Sequence, residues 1–211
     1  MTAILNNSLY TPMNGGKEFE MNKSLPIKKR KDLENFLNYY KTVKPNLRNH
    51  LLLIFGLNTG LRVSDILSVK WKNIYDFDSK HIRTHLNLSE SKTGKRICIL
   101  VNVALRSAII DYQDSIKDFH SEDYVFVSQK SDRLSRYQAY RIVRDAARGC
   151  NIEGIIACHS MRKTFAYYAY KQGASPAMIM SLLNHSSFEV TKRYIGIEQD
   201  EKDQVYRSIY R

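Results

Sequence analysis

A chain of 211 residues is long enough for one well-filled domain, and 43% hydrophobic with 26% charged residues is an ordinary globular balance. Thirty-three Lys and Arg against 21 Asp and Glu give a formal net charge of +12. Such an excess attracts polyanions, chiefly nucleic acid, although a basic protein without that partner has the same arithmetic. Cys98, Cys150 and Cys158 are odd in number and form no CxxC pair, which argues against a disulfide framework and for a reducing compartment. The longest apolar run, residues 51–57, is too short to span a bilayer, and no signal pattern opens the chain, so the expected location is cytoplasmic with no membrane partner.

Residues 1–25 carry Asn6, Asn7, Asn14, Gly15 and Gly16 with little periodicity and read as a flexible tail. Pro26 and a basic run, residues 28–31, lead into a helix with Leu33, Phe36, Leu37 and Tyr40 on one face. A second helix covers residues 51–57 and pauses at Asn58-Thr59-Gly60; a third follows with Val63, Ile66, Leu67 and Trp71 inward. Residues 81–88 and 96–99 alternate with period two around Ser91-Lys92-Thr93-Gly94, which predicts a single hairpin with Lys92 at its tip. Helical spacing returns after Asn102, and residues 124–127 form a short buried segment of open type. Ser135 is placed to cap a helix reaching Arg148, residues 159–171 form another, and Ser175-Pro176 begins a third. Ser186-Ser187-Phe188-Glu189 has capping-box form and opens the short helix that carries Tyr194. The expected class is mainly α with one small antiparallel β-sheet.

Two residues in His159-Ser160-Met161-Arg162 share one side of a helix at its start, where free N–H groups favour an anion. Alone, the motif is weak, and a surface pair on a basic helix is the better reading of it. Its context is Leu182-Leu183-Asn184-His185, then Tyr194 with eight residues between, and Gly60-Leu61-Arg62-Val63-Ser64-Asp65 upstream. In that order the motifs resemble the catalytic domain of the tyrosine recombinase (phage integrase) family over residues 26–196. That family has an arginine box, a hairpin lysine, His-x-x-Arg, a second histidine and the tyrosine.

The resemblance implies a DNA recombinase working through a 3′-phosphotyrosine. Arg62 and Arg162 would clamp the scissile phosphate, since two planar guanidiniums donate several fixed hydrogen bonds and stay charged. Lys92 would protonate the leaving 5′ oxygen. His159 would handle the Tyr194 proton, His185 would add a donor to the phosphate, and Tyr194 would be the nucleophile. Each residue also has a plainer reading: an Arg62–Asp65 ion pair, a solvated Lys92, a helix-terminal His185. Tyr206 and Tyr210 compete with Tyr194, but only Tyr194 has the family spacing. The scheme requires no metal and no other cofactor, and neither HExxH nor a Gly-rich phosphate loop occurs. No small-molecule substrate is implied.

By the same resemblance the helix after Ser135 enters the major groove, so Arg133, Arg136 and Tyr137 are candidate contacts to double-stranded DNA, with Arg141, Arg144 and Arg148 beyond them. The expected assembly is a tetramer on paired sites, with residues 197–211 docking on a neighbour. The chain departs from the family in Asn184, where a glycine is usual, and in Lys163, where a histidine often stands. Only about 25 residues precede the catalytic region. That is similar to the short fimbrial-switch recombinases, or to a catalytic domain excised from a longer integrase. A type IB topoisomerase and a non-catalytic DNA-binding relative are the alternatives.

Overall fold

The computed structural model describes residues 24–91, 94–130, 132–195 and 206–209. The predicted tail therefore lies outside the described residues up to position 23, as do Lys92 and most of the expected docking segment, Tyr210 included. Ser24 and Leu25, assigned above to the tail, are strapped down instead. Leu25 N–H donates to Ile155 O at 2.9 Å, Lys163 Nζ reaches Ser24 O at 2.6 Å, and Ile27 N–H donates to Thr164 Oγ1 at 2.8 Å. Lys163, the departure from the family's histidine, thus holds the entering strand of chain.

Helix α1 (Arg30–Asn38) runs into a π turn at Tyr39–Val43, so Tyr40 lies beyond the α-helix, fully buried, and its hydroxyl donates to Ile142 O at 3.0 Å. Helix α2 (Leu47–Thr59) starts at Asn46, whose side chain accepts from Asn49 N–H, and stops at Gly60 in the left-handed region, φ 62°. Residues 49–56 of α2 are all buried, which makes it the central helix of the main core. Around it come α3 (Val63–Leu67) and α4 (Trp71–Ile74); Trp71 belongs to α4 and stacks at 6.1 Å on Tyr112.

The expected single hairpin is two small sheets. β1 (Tyr75–Asp76) pairs with β2 (His81–Ile82), and β3 (His85–Ser89) pairs antiparallel with β4 (Arg96–Leu100) in the register Ser89↔Arg96. The period-two pattern runs unbroken through residues 81–88, but the pairing partner changes at Arg83–Thr84, where Arg83 N–H donates back to Ile74 O. Residues 124–127 lie outside both sheets and form only isolated bridges, Lys70↔Tyr124 and Val127↔Arg133, with Val125 and Phe126 in the core.

Three further caps were foreseeable. α5 (Val103–Gln113) is capped by Asn102, α6 (Arg136–Gly149) by Ser135 with Gln138 completing the box, and α8 (Pro176–Leu182) by Ser175 with proline at its first position. α7 (Cys158–Lys171) packs against α2. α9 (Phe188–Ile195) begins one residue later than expected: Ser187, not Ser186, accepts from the helix, from Val190 N–H at 3.4 Å. α7, α8 and α9 share a small separate core of Ala166, Ile179, Leu183 and Ile195, and Tyr194 packs partly against it. Burial of these few side chains seats α9 across the start of α7. Among the described residues no helix is long and apolar enough to cross a membrane.

Candidate active site

Five of the six residues singled out in the sequence fall within the described parts, and four of them, His159, Arg162, His185 and Tyr194, meet around the Tyr194 ring. Arg162, on the first turns of α7, is 2% exposed. Its two terminal nitrogens donate to Gly60 O, at 2.6 Å, and to Leu183 O. A guanidinium has five N–H donors, so others remain, and Nε is buried with no hydrogen-bond partner among the described residues. A buried donor left unmet is costly, and an anionic oxygen is the acceptor that would relieve it.

Tyr194 is half-buried, and its hydroxyl meets Nε2 of His159 in a close hydrogen bond. Its ring sits edge-on between His159, 5.4 Å away, and His185, 4.5 Å away, with the Arg162 guanidinium carbon 6.0 Å from the ring centre. Burial raises the Tyr194 hydroxyl above its ordinary pKa, against the opposing pull of Arg162, Arg62 and Arg193. Desolvation, then the charges of Arg162, Lys163 and Arg62, hold His159 below the usual histidine value. His159 is therefore neutral at pH 7 and offers Nε2 as an acceptor for the Tyr194 proton.

His185 is pushed down to about 4, first by desolvation and then by Arg162 and Arg62, so it too is neutral. Its Nδ1 lies 3.0 Å from Thr191 Oγ1, while the same hydroxyl is 3.5 Å from Ser187 O. The Thr191 hydroxyl donates to Ser187 O, and its contact with Nδ1 fixes the orientation of the imidazole. Thr191 is fully buried. It went unnoticed in the sequence, yet it stands three residues before Tyr194, on the same side of α9.

Arg62 is the residue before α3, in extended backbone at φ −68°, ψ 145°. That geometry separates it from the i, i+3 position it would share with Asp65 in a helix, so the alternative Arg62–Asp65 pair does not form. Arg62 donates instead to Glu90 at 2.5 Å, and Asp65 accepts from Ser91 N–H at 2.9 Å. Glu90, 3% exposed, is a second residue that sequence reading missed. It sits in the polar stretch Ser89-Glu90-Ser91, where nothing marks it as buried. Lys92 lies outside the described residues; its neighbour Ser91 is tied to Asp65, three positions after Arg62.

Asn184 adopts φ 47°, the left-handed conformation that explains why the family favours glycine at this turn. Cys158, beside His159, has its thiol raised to about 11 by burial, which makes it an unreactive packing group.

Of the three candidate DNA contacts, all are exposed. Arg133 and Arg136 line a groove of about 490 Å³ together with Ser64, Ser91, Tyr124 and Asp132. Arg133 lies 5.5 Å over the Tyr124 ring, and Tyr137 is 69% exposed on the first turn of α6.

Comparison with known proteins identifies the family. Residues 29–201 match the pattern described as the phage integrase family. The chain is 38% identical over 183 residues to the probable integrase/recombinase YoeC of Bacillus subtilis (strain 168), covering 86% of this chain and 94% of YoeC. It is 28% identical over 168 residues to the tyrosine recombinase XerD of Chlorobaculum tepidum (strain ATCC 49652 / DSM 12025 / NBRC 103806 / TLS), covering 78% of this chain and 53% of that protein. It thus spans nearly all of YoeC but about half of XerD. In fold it is similar to the crystal structure of XerA recombinase, with a TM-score of 0.71 at 19% identity over 90% of this chain and 65% of that one. It is also similar to XerH site-specific recombinase bound to palindromic difH substrate, with a TM-score of 0.72 at 16% identity over 89% of this chain and 54% of that one. The chain therefore belongs to the phage integrase family, the tyrosine recombinases, which are site-specific DNA recombinases.

Proposed function

We propose that this chain cuts and rejoins double-stranded DNA through a 3′-phosphotyrosine at Tyr194, with residues 26–196 as the catalytic domain. The observation that carries the reading is the hydrogen bond between the Tyr194 hydroxyl and a neutral His159, beside the unsatisfied Nε of Arg162. In the reaction Tyr194 Oη attacks the scissile phosphorus while its proton passes to His159 Nε2. The bond from phosphorus to the 5′ oxygen breaks, and Lys92 gives that oxygen its proton. Arg62, Arg162 and His185 stabilise the charge that gathers on the non-bridging oxygens. The phosphodiester energy is kept in the phosphotyrosine, so a 5′ hydroxyl reverses the step and joins a new strand. Two arginines and a lysine supply the positive charge without a metal ion.

The groove bearing Arg133 and Arg136 makes the approach to this site basic, and with Tyr137 it contacts the duplex. A full exchange needs four active sites, so the working form is a tetramer on two paired sites, acting in the cytoplasm. Two experiments on one gel test the chemistry. Incubated in EDTA with a pool of nicked duplexes of random sequence, the protein forms an SDS-stable DNA adduct. Tyr194→Phe, which keeps the ring and removes the nucleophile, forms less than about a thousandth as much. An adduct that persists in Tyr194→Phe, one that requires Mg²⁺, or none from the unaltered protein overturns the reading.

A further inference from the structure

Glu90 is the buried carboxylate closest in contact to the arginines, and its two oxygens serve two separate segments. Oε1 accepts from Arg62 and Oε2 accepts from Asn184 Nδ2, each at 2.5 Å. The amide oxygen of Asn184 in turn accepts from Lys95 Nζ at 3.1 Å. Glu90 and Lys95 are themselves linked through the backbone, Glu90 N–H donating to Lys95 O at 2.9 Å. The side chains of this backbone-bonded pair therefore both end on one residue, Asn184, which immediately precedes His185. The two bonds to the buried Glu90 carboxylate are short, charge-assisted and shielded from water, while the Lys95 contact lies at the surface.

The same contact accounts for the unusual residue at position 184. A glycine would take φ 47° at no cost, whereas asparagine pays a small backbone penalty there. In exchange its amide bridges Glu90 and Lys95. We propose that Glu90 and Asn184 are paired positioning residues that hold Arg62 at a fixed distance from the turn carrying His185. In a chain that has glycine at 184 the amide side of this bridge is missing. In this chain Glu90 sets the guanidinium of Arg62 from one side, and Asn184 carries that setting to His185. The turn is held at two further points, Leu183 O on Arg162 and His185 Nδ1 on Thr191. Glu90 touches no reacting atom; it acts through Arg62 and Asn184.

The inference rests on the phosphotyrosine reading and is tested with Glu90→Gln, Asn184→Gly and the double variant. Each is measured for single-turnover adduct formation at saturating nicked DNA, for DNA affinity, for melting temperature and for the His185 titration by NMR. Misplacement of a reacting group by about 1 Å costs up to about 10²-fold, so each single variant is expected to slow the adduct step about 10- to 100-fold. DNA affinity stays within about threefold, because Arg62 and Arg162 keep their charges. Asn184→Gly keeps the melting temperature, since glycine suits the turn, which separates a positioning loss from unfolding. The double variant is no slower than the slower single, because both remove one bridge. Glu90→Gln also lowers the His185 titration, since the carboxylate that favours its charged form is gone. Wild-type speed in Asn184→Gly, or losses that multiply in the double variant, overturn the bridge while leaving the phosphotyrosine chemistry intact. Absence of any adduct from the unaltered protein overturns both.

Discussion

Arg162→Lys is expected to slow adduct formation by about 10²–10³-fold and to destabilise the protein at the same time. The charge is conserved, so the loss measures geometry. The guanidinium reaches Gly60 O with one nitrogen and Leu183 O with the other, joining the end of α2 to the end of α8 across the root of α7. A lysine has one nitrogen and cannot span both carbonyls while also facing a phosphate. At least one buried carbonyl is left without a donor, at a cost of about 1–3 kcal/mol. Denaturant unfolding and single-turnover cleavage measured on the same preparation check the two parts. A variant that cleaves at the unaltered rate would remove Arg162 from the phosphate clamp.

The second large effect is at Gly60. Gly60→Ala is expected to destabilise the fold by about 2–5 kcal/mol. Part of this is the left-handed backbone, φ 62°, which costs an L residue about 1–2 kcal/mol. The rest is space: a Cβ there would lie 2.6 Å from Phe165 Cδ1 and 3.1 Å from Leu183 Cδ2, in the small core under Tyr194. Overpacking of this kind costs about 1–3 kcal/mol. Gly173→Ala is the matched comparison, since it also has positive φ, 92°, but nothing within 4 Å of the added carbon. The excess loss in Gly60→Ala over Gly173→Ala reports the clash with Phe165. Because Gly60 O is an acceptor for Arg162 and Arg62 lies two residues on, cleavage falls beyond what the unfolded fraction explains. Equal stability losses in the two variants would contradict this account of the turn.

Much of this architecture is legible in local sequence signals. Ser135 and Ser175-Pro176 start helices where they should, because a side-chain oxygen on a free N–H and a proline at the first position act within one turn of chain. The ordered motifs also carried the site. Arg162, His159, His185 and Tyr194 converge because α7, α8 and α9 wrap one small core, and Arg62 follows the glycine that Arg162 holds. What sequence did not reveal depends on distant partners. The alternation of residues 81–88 is the same whether one strand or two use it, and only pairing with Tyr75–Asp76 and with Arg96–Leu100 splits it. Glu90 reads as one more polar residue of a turn. Its burial comes from Arg62, 28 positions away, and Asn184, 94 positions away. The Arg62–Asp65 pairing failed for a local reason, since Arg62 precedes the helix rather than lying in it.

Tyr194 is the centre of the account, and mapping the covalent link tests it most directly. The adduct formed on nicked DNA is digested with protease and nuclease, and the nucleotide-bearing peptide is sequenced by mass spectrometry. The account predicts a single modified peptide carrying the nucleotide through its 3′ phosphate on Tyr194. A nucleotide on Tyr206 or Tyr210, or attachment through a 5′ phosphate, would contradict it.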